Sequence, residues 1–268
     1  MRIVVCIKQV PDTDKIETDP KTNSLVRKNS EKRLNRNDEN AIEQALLLKD
    51  TDPNNIEIIA LTMGPPESEA ILRQAMAMGA DCAFMLCDKA FTGADTFATA
   101  LVLSQAIRKI GDVNLVITGQ FTSDGNTGQV PAEMAEMLGI AQASFSENIT
   151  FENNKIYVDK RTEFGIESVE MDFPALTAIS ERTNQPRNIK VDGIRAACEN
   201  VVTVWDMNDL GLQDKMVGIA GSPTQVEGTF TQSSARKCFR VEGVSEHETV
   251  TNFLNQLLES DFVGGANE

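Results

Sequence analysis

Short, almost wholly apolar runs alternate with stretches of helical period through the first half of the chain. The runs are Arg2–Ile7, Ile56–Thr62, Asp81–Leu86 and Asn114–Thr118. Runs of this kind suit strands buried on both faces of a parallel sheet. Between them, apolar residues recur at helical spacing. Ala41, Ile42, Ala45 and Leu46 follow a start at Asn35–Asp38, with Asn37 or Asp38 as the cap. Glu67–Met78 reads as a second helix stopped by Gly79, and a third runs from Asp95 or Thr96 to Ile110. A fourth follows Val130, Met134, Met137 and Leu138. This β-α-β-α order predicts an α/β fold: a doubly wound, mostly parallel, Rossmann-like sheet with helices on both faces.

Beyond Gly139 the pattern changes. Ser144–Thr150, Lys155–Lys160 and Gly165–Met171 read as antiparallel strands around a turn at Glu152–Asn154, and Pro174–Ile179 as one more core strand. After Val191 there is little periodicity until Thr249–Leu258, and the glycine-rich Gly211–Gln232 reads as an extended arm. The expected division is 1–190 as the α/β domain and 191–268 as a C-terminal arm and helix wrapped on a partner subunit. Gly264–Glu268 reads as a frayed end. Thr13–Asn37 is polar, a small hairpin or a loop over the sheet. Its basic island (Arg27, Lys28, Lys32, Arg33, Arg36) reads first as a solvated face.

Ligands of such sheets sit beyond the carboxyl ends of the strands. Cys6–Gln9, Met63–Pro65, Asp95–Thr96 and Gly119–Gln129 all fall there. The last of these, GQFTSDGNTGQ, lies between a strand and a helix. Backbone N–H groups and a helix N-terminus there would favour an anion, and glycine admits close approach. The turn has no Lys or Arg, so amides, hydroxyls and the dipole would hold a phosphate rather than a point charge. The glycine spacing is neither the dinucleotide fingerprint nor a Walker loop, and an ordinary turn capped by Asn126 or Thr127 has the same pattern.

Composition narrows the function. A formal net charge of −15 argues against nucleic acid and against anionic membranes, and one Trp and one Tyr leave few platforms for stacking bases. The five cysteines include no C-x-x-C pair, which fits free thiols in a reducing compartment and no metal site. Met1 runs directly into a strand and no apolar run reaches membrane-spanning length, so a cytoplasmic protein without a leader is expected. The one histidine, His247, is remote from the rim, and Asp95 and Asp124 read more readily as caps than as acid and base. No catalytic residue is expected; a cofactor would carry the chemistry.

Several ordered motifs resemble the beta subunit of electron transfer flavoproteins. They are Val5–Pro11, Asn35–Ala41 with Glu43 and Ala45, Ala60–Pro65, Ala75–Asp81, Gly119–Gln129, and Val158–Ala178 with Glu163, Glu167 and Pro174–Ala175. The resemblance implies an alpha subunit as partner and a second nucleotide at the beta-subunit rim. That nucleotide is AMP in conventional members and FAD in electron-bifurcating ones. In the latter, FAD takes a hydride from NADH, passing one electron to ferredoxin or flavodoxin and the other through the alpha-subunit FAD to a flavin-dependent dehydrogenase of acyl-CoA or hydroxy-acid type. The compact Ser123–Gln129 stretch, with Gly93–Thr99, resembles the bifurcating group, and Gly125 leaves room for a pyrophosphate. Carried over, Cys6 and Asn35, Asn37 and Asp38 would lie against the adenosine, with Met63 and Gly64 at the same rim. Gly119, Gln120, Thr122, Ser123, Asp124, Gly125, Asn126, Thr127, Gly128 and Gln129 would hold the phosphates, and Asp95 and Thr96 would face the flavin. Thr183–Arg195 matches the dehydrogenase-docking loop in position, although the family's Leu-centred motif is absent from Asn184–Ile189. The alternatives are a conventional AMP-binding carrier and a nucleotide-sensing module of the universal-stress kind.

Overall fold

The computed structural model describes residues 1–12, 31–152, 155–225 and 240–259. By its contacts the chain divides into Met1–Glu227 and Gly228–Glu268. In the first unit, β1 (Arg2–Cys6), β4 (Glu57–Met63), β5 (Cys82–Leu86), β6 (Leu115–Gly119) and β10 (Ala175–Ile179) form the parallel centre of a nine-stranded sheet. Its order is β11-β5-β4-β1-β6-β10-β7-β8-β9, where β7 is Ala141–Glu152, β8 Lys155–Thr162, β9 Gly165–Asp172 and β11 Val202–Trp205. Only the β7-β8 and β8-β9 pairings in it are antiparallel. A separate two-stranded antiparallel ladder joins β2 (Gln9–Pro11) to β3 (Lys32–Leu34).

The period of two along each central strand explains the layers. Ile3, Val5 and Ile7, with Ile58, Ala60, Leu115 and Ile117, pack under α1 (Arg36–Thr51) and α2 (Glu69–Met78). Val4 and Cys6, with Ile59, Leu61, Val116 and Leu176, pack under α3 (Thr96–Ile110) and α4 (Val130–Leu138) on the opposite face. Central strand residues are therefore buried whichever way they point, and their sequence carries no alternation.

The stretch after Val191 is more regular than its sequence indicates. Val191–Glu199 is a helix, α5, packed on α2, and β11 extends the sheet beside β5, so the sheet continues past residue 190. Gly193 hides this helix from a propensity reading, yet it is what lets the helices meet: a Cβ there would stand 2.2 Å from the Ala77 carbonyl oxygen. Arg73 on α2 completes the junction by donating to the Ala197 and Asn200 carbonyls. The arm read over Gly211–Gln232 is part helical where it is described, with α6 at Gly218–Gly221; 226–232 lie outside the described residues. So do Arg27 and Lys28 of the basic island, the turn at 153–154 and the 264–268 tail. The second unit contains α7 (Glu246–Glu259), whose Val250, Phe253, Leu254 and Leu258 are exposed.

Candidate functional site

From β1 the chain moves outward to β4 and β5 on one side, then returns to β6 on the other. That switch point opens a cleft of about 700 Å³, lined from β1 by Cys6 and Lys8 and from β4 by Met63. The start of α3 adds Asp95 and Thr96, and the loop after β6 adds Gly119, Gln120, Thr122, Asp124, Gly125, Thr127, Gly128 and Gln129. The volume lies within the range of small-molecule sites.

Asp38 ties the floor together. It sits in the first turn of α1, 3% exposed. One carboxyl oxygen accepts the Lys8 amide at 2.7 Å and the other accepts the Gly119 amide at 3.1 Å, which joins the ends of β1 and β6. Burial pushes its pKa up to about 7, against the opposing pull of hydrogen bonds from Asn35, Lys8 and Gly119. Neither Asn37 nor Asp38 caps α1 as the sequence led us to expect. The N-cap is Asn35, and its side chain is committed elsewhere, donating to the Phe121 carbonyl at 2.8 Å. Gly119 is required at this junction, because a Cβ would lie 2.2 Å from Asp38 Oδ1. Cys6 is buried and burial raises its thiol pKa well above the ordinary value, so it is a neutral wall of the cleft.

The loop is held at its base. Buried Gln120 accepts the Phe145 amide at 2.6 Å, and its own amide donates to the Ile179 carbonyl at 2.8 Å. Gly128 adopts φ +64° with the Phe121 ring against it, where a Cβ would come within 2.7 Å. At the tip, the missing Cβ of Gly125 faces only Thr122 Oγ1, at 3.5 Å. The alternative of an ordinary turn capped by Asn126 or Thr127 does not hold: α4 begins after Gln129 and has no side-chain cap bond. Its N-terminus therefore retains the polarity that favours an anion.

Asp95 does cap α3, accepting the Ala98 amide at 3.0 Å. Its other oxygen accepts the Thr224 amide and hydroxyl at 2.9 and 2.8 Å. Burial works against ionisation there, but these bonds outweigh it and hold the carboxyl below its usual range. Thr96 Oγ1 lies 3.0 Å from Glu133 Oε1, and burial raises the Glu133 pKa. Asn35, Asn37, Gly64, Ser123 and Asn126 do not line the cleft. Asn35 acts through the loop base, while Gly64 packs on Ser68.

A point charge is present after all. Lys8 reaches across from the end of β1 and grips Asp124 with both carboxyl oxygens in reach, at 2.7 and 2.8 Å. The loop's own composition could not reveal this cation; only its place two residues past Cys6 at a strand end could. Phe91, Phe121 and Thr224 also line the cleft, and no local signal marks them.

Beyond β10, the Thr183–Arg195 segment is pinned to α1 through Asn184 and Arg187. Arg187 pairs with buried Glu43 at 2.9 Å and with Asp50 at 2.7 Å, and Asn184 and Asn40 exchange side-chain-to-backbone bonds. Ile189, Val191 and Ile194 remain exposed. Arg33 folds back on Glu39 at 3.6 Å. Among the described residues no His, Cys, Asp and Glu cluster has metal-binding geometry, and no helix is long and apolar enough to cross a membrane.

An open parallel sheet with a glycine-rich, dipole-backed loop at its switch point defines a doubly wound α/β protein with a ligand cleft at the strand ends. The electron transfer flavoprotein domain matches residues 22–210. The chain is 38% identical over 263 residues to the caffeyl-CoA reductase–Etf complex subunit CarD of Acetobacterium woodii, covering 98% of this chain and all of that one. It is 38% identical to the electron transfer flavoprotein subunit beta of Clostridium acetobutylicum, over 87% of this chain and 88% of the relative. It is 40% identical to Protein FixA of Azorhizobium caulinodans, over 87% and 85%. The chain belongs to the electron transfer flavoprotein family, on the side of its beta subunits, which pair with an alpha subunit. A universal-stress module is thereby set aside.

Proposed function

We propose that the cleft holds FAD and that the chain is the beta subunit of an electron-bifurcating complex. The observation that carries this is Gly125: it lines the cleft, and among the described residues only Thr122 Oγ1, at an ordinary contact distance of 3.5 Å, adjoins the place of its side chain. That space, beside an α4 N-terminus without a side-chain cap, suits two linked phosphates. The adenosine lies against Cys6 and Met63. The loop amides and the Thr122 and Thr127 hydroxyls hold the phosphates. Asp38 sets the floor by fixing Gly119. Bound FAD would accept a hydride from NADH and part its electrons between ferredoxin or flavodoxin and, through alpha-subunit FAD, a partner dehydrogenase. The chain itself supplies position, burial and the field of α4; no side chain of the cleft acts as a catalyst. The pinned Thr183–Arg195 segment faces the dehydrogenase with Ile189, Val191 and Ile194. The relative whose name places it in a caffeyl-CoA reductase complex supports an acyl-CoA-type partner. α7 and its exposed apolar side chains pack on the alpha subunit, and the complex works in the cytoplasm.

Chromatography of the nucleotides released from the purified alpha–beta complex tests the reading. Two FAD and no AMP per heterodimer is the expected result, followed by ferredoxin reduction driven by NADH. One FAD and one AMP would make the complex a conventional one-flavin carrier.

A further inference from the structure

Three carboxylates line the cleft, Asp38, Asp95 and Asp124, and among its described residues Lys8 is the one cation. Two of those carboxylates are committed to the fold. Asp38 binds the Lys8 and Gly119 amides; Asp95 binds the Ala98 amide and Thr224. Asp124 differs: besides the Gly125 amide and the Thr122 hydroxyl of its own loop, it holds the Lys8 ammonium. The two partners come from the ends of the neighbouring strands β1 and β6, 116 residues apart in sequence. Their side chains are 45% and 33% exposed, so the pair is weak and can be exchanged at little cost.

We propose that Lys8 is a specificity residue for phosphate-bearing adenine ligands, and that Asp124 competes with the ligand's phosphate for its ammonium. The proposal rests on the nucleotide reading of the cleft and adds a charge requirement to it. A pyrophosphate as a whole, or a terminal phosphate such as that of AMP, entering between the loop amides and α4 meets Lys8 with more negative charge than one carboxylate offers. Lys8 keeps its backbone place, fixed by Asp38, and only its flexible stem has to turn. Ligands without phosphate gain nothing from Lys8 and leave the Asp124 pair intact. The pair thus sets a threshold: the cleft selects nucleotides over nucleosides by a cation that is never left uncompensated.

The test uses the complete alpha–beta complex stripped of its rim nucleotide and titrated calorimetrically with adenosine, AMP and ADP. Lys8→Met should weaken AMP and ADP roughly tenfold, the worth of one charge-assisted contact, and flatten their salt dependence while leaving adenosine unchanged. Lys8→Arg should restore the phosphate-dependent part. Asp124→Asn, whose amide oxygen still accepts the Gly125 N–H, should tighten AMP and ADP severalfold, and that gain should shrink in the Lys8→Met background. Equal losses for adenosine and AMP would show a structural role and overturn the proposal, as would AMP binding indifferent to Lys8→Met. Failure of the wild-type complex to bind any of the three would remove the nucleotide reading itself, and this inference with it.

Discussion

Two connecting segments attach to the same helix, α1, in opposite ways. The 119–129 loop is stitched at its base, through Asp38, Asn35 and Gln120, and its tip around Gly125 makes few commitments to the rest of the chain. The 183–195 segment is committed in its first half, with Arg187 closed on buried Glu43 and Asn184 locked to Asn40. The first arrangement leaves backbone amides and space available to a ligand. The second uses Asn184 and Arg187 internally and leaves Ile189, Val191 and Ile194 exposed among polar neighbours such as Lys190 and Asp192. On the function proposed above, the loop with uncommitted amides is the binding element and the pinned segment the docking one.

Substitutions should separate the two. Arg187→Ala leaves Glu43 buried without its partner and should destabilise the complex by about 3 kcal/mol in denaturant unfolding, with new protease sensitivity between residues 180 and 190. A loss near zero would mean that the pinning is incidental. Gly119→Ala drives a Cβ into Asp38 and Asn37 and should cost about 2 kcal/mol, read as a lowered denaturation midpoint.

Asp38 gives a pH signature. With a folded pKa of about 7 and an ordinary unfolded value near 3.9, it binds a proton in the folded state that the unfolded chain has lost. Stability should therefore fall as pH rises from about 4 to 7, by up to about 1.4 kcal/mol per unit, and Asp38→Asn should remove that contribution. Identical pH slopes in wild type and variant would contradict it. Asp95→Ala removes a cap and should cost about 1 kcal/mol, read as a small shift in unfolding midpoint. Gly125→Ala meets only ordinary contact and should stay within about 0.5 kcal/mol of wild type in the same assay.

The sheet and the rim loop were legible because their signals are local. Strands buried on both faces must be apolar throughout, and glycines at 119, 125 and 128 mark a backbone that has to come close to something. What escaped is non-local. The partner of Lys8 lies on another strand end, and Asp38, which looks like a cap, is drawn across to Gly119. α5 contains a glycine chosen for its contact with Ala77 rather than for helix propensity, and β11 is four residues at a sheet edge. The seal on Asp95 comes from Thr224, 129 residues away.

The most direct measurement counts adenine nucleotides in the purified alpha–beta complex with Gly125→Val. The side chain would enter space that the described residues leave open beyond Thr122 Oγ1, so the account predicts a fall from two nucleotides per heterodimer to one in a complex that stays folded, its melting temperature lowered only by the stabilisation the lost ligand supplied. Two nucleotides retained by a folded variant would contradict it and place the ligand elsewhere.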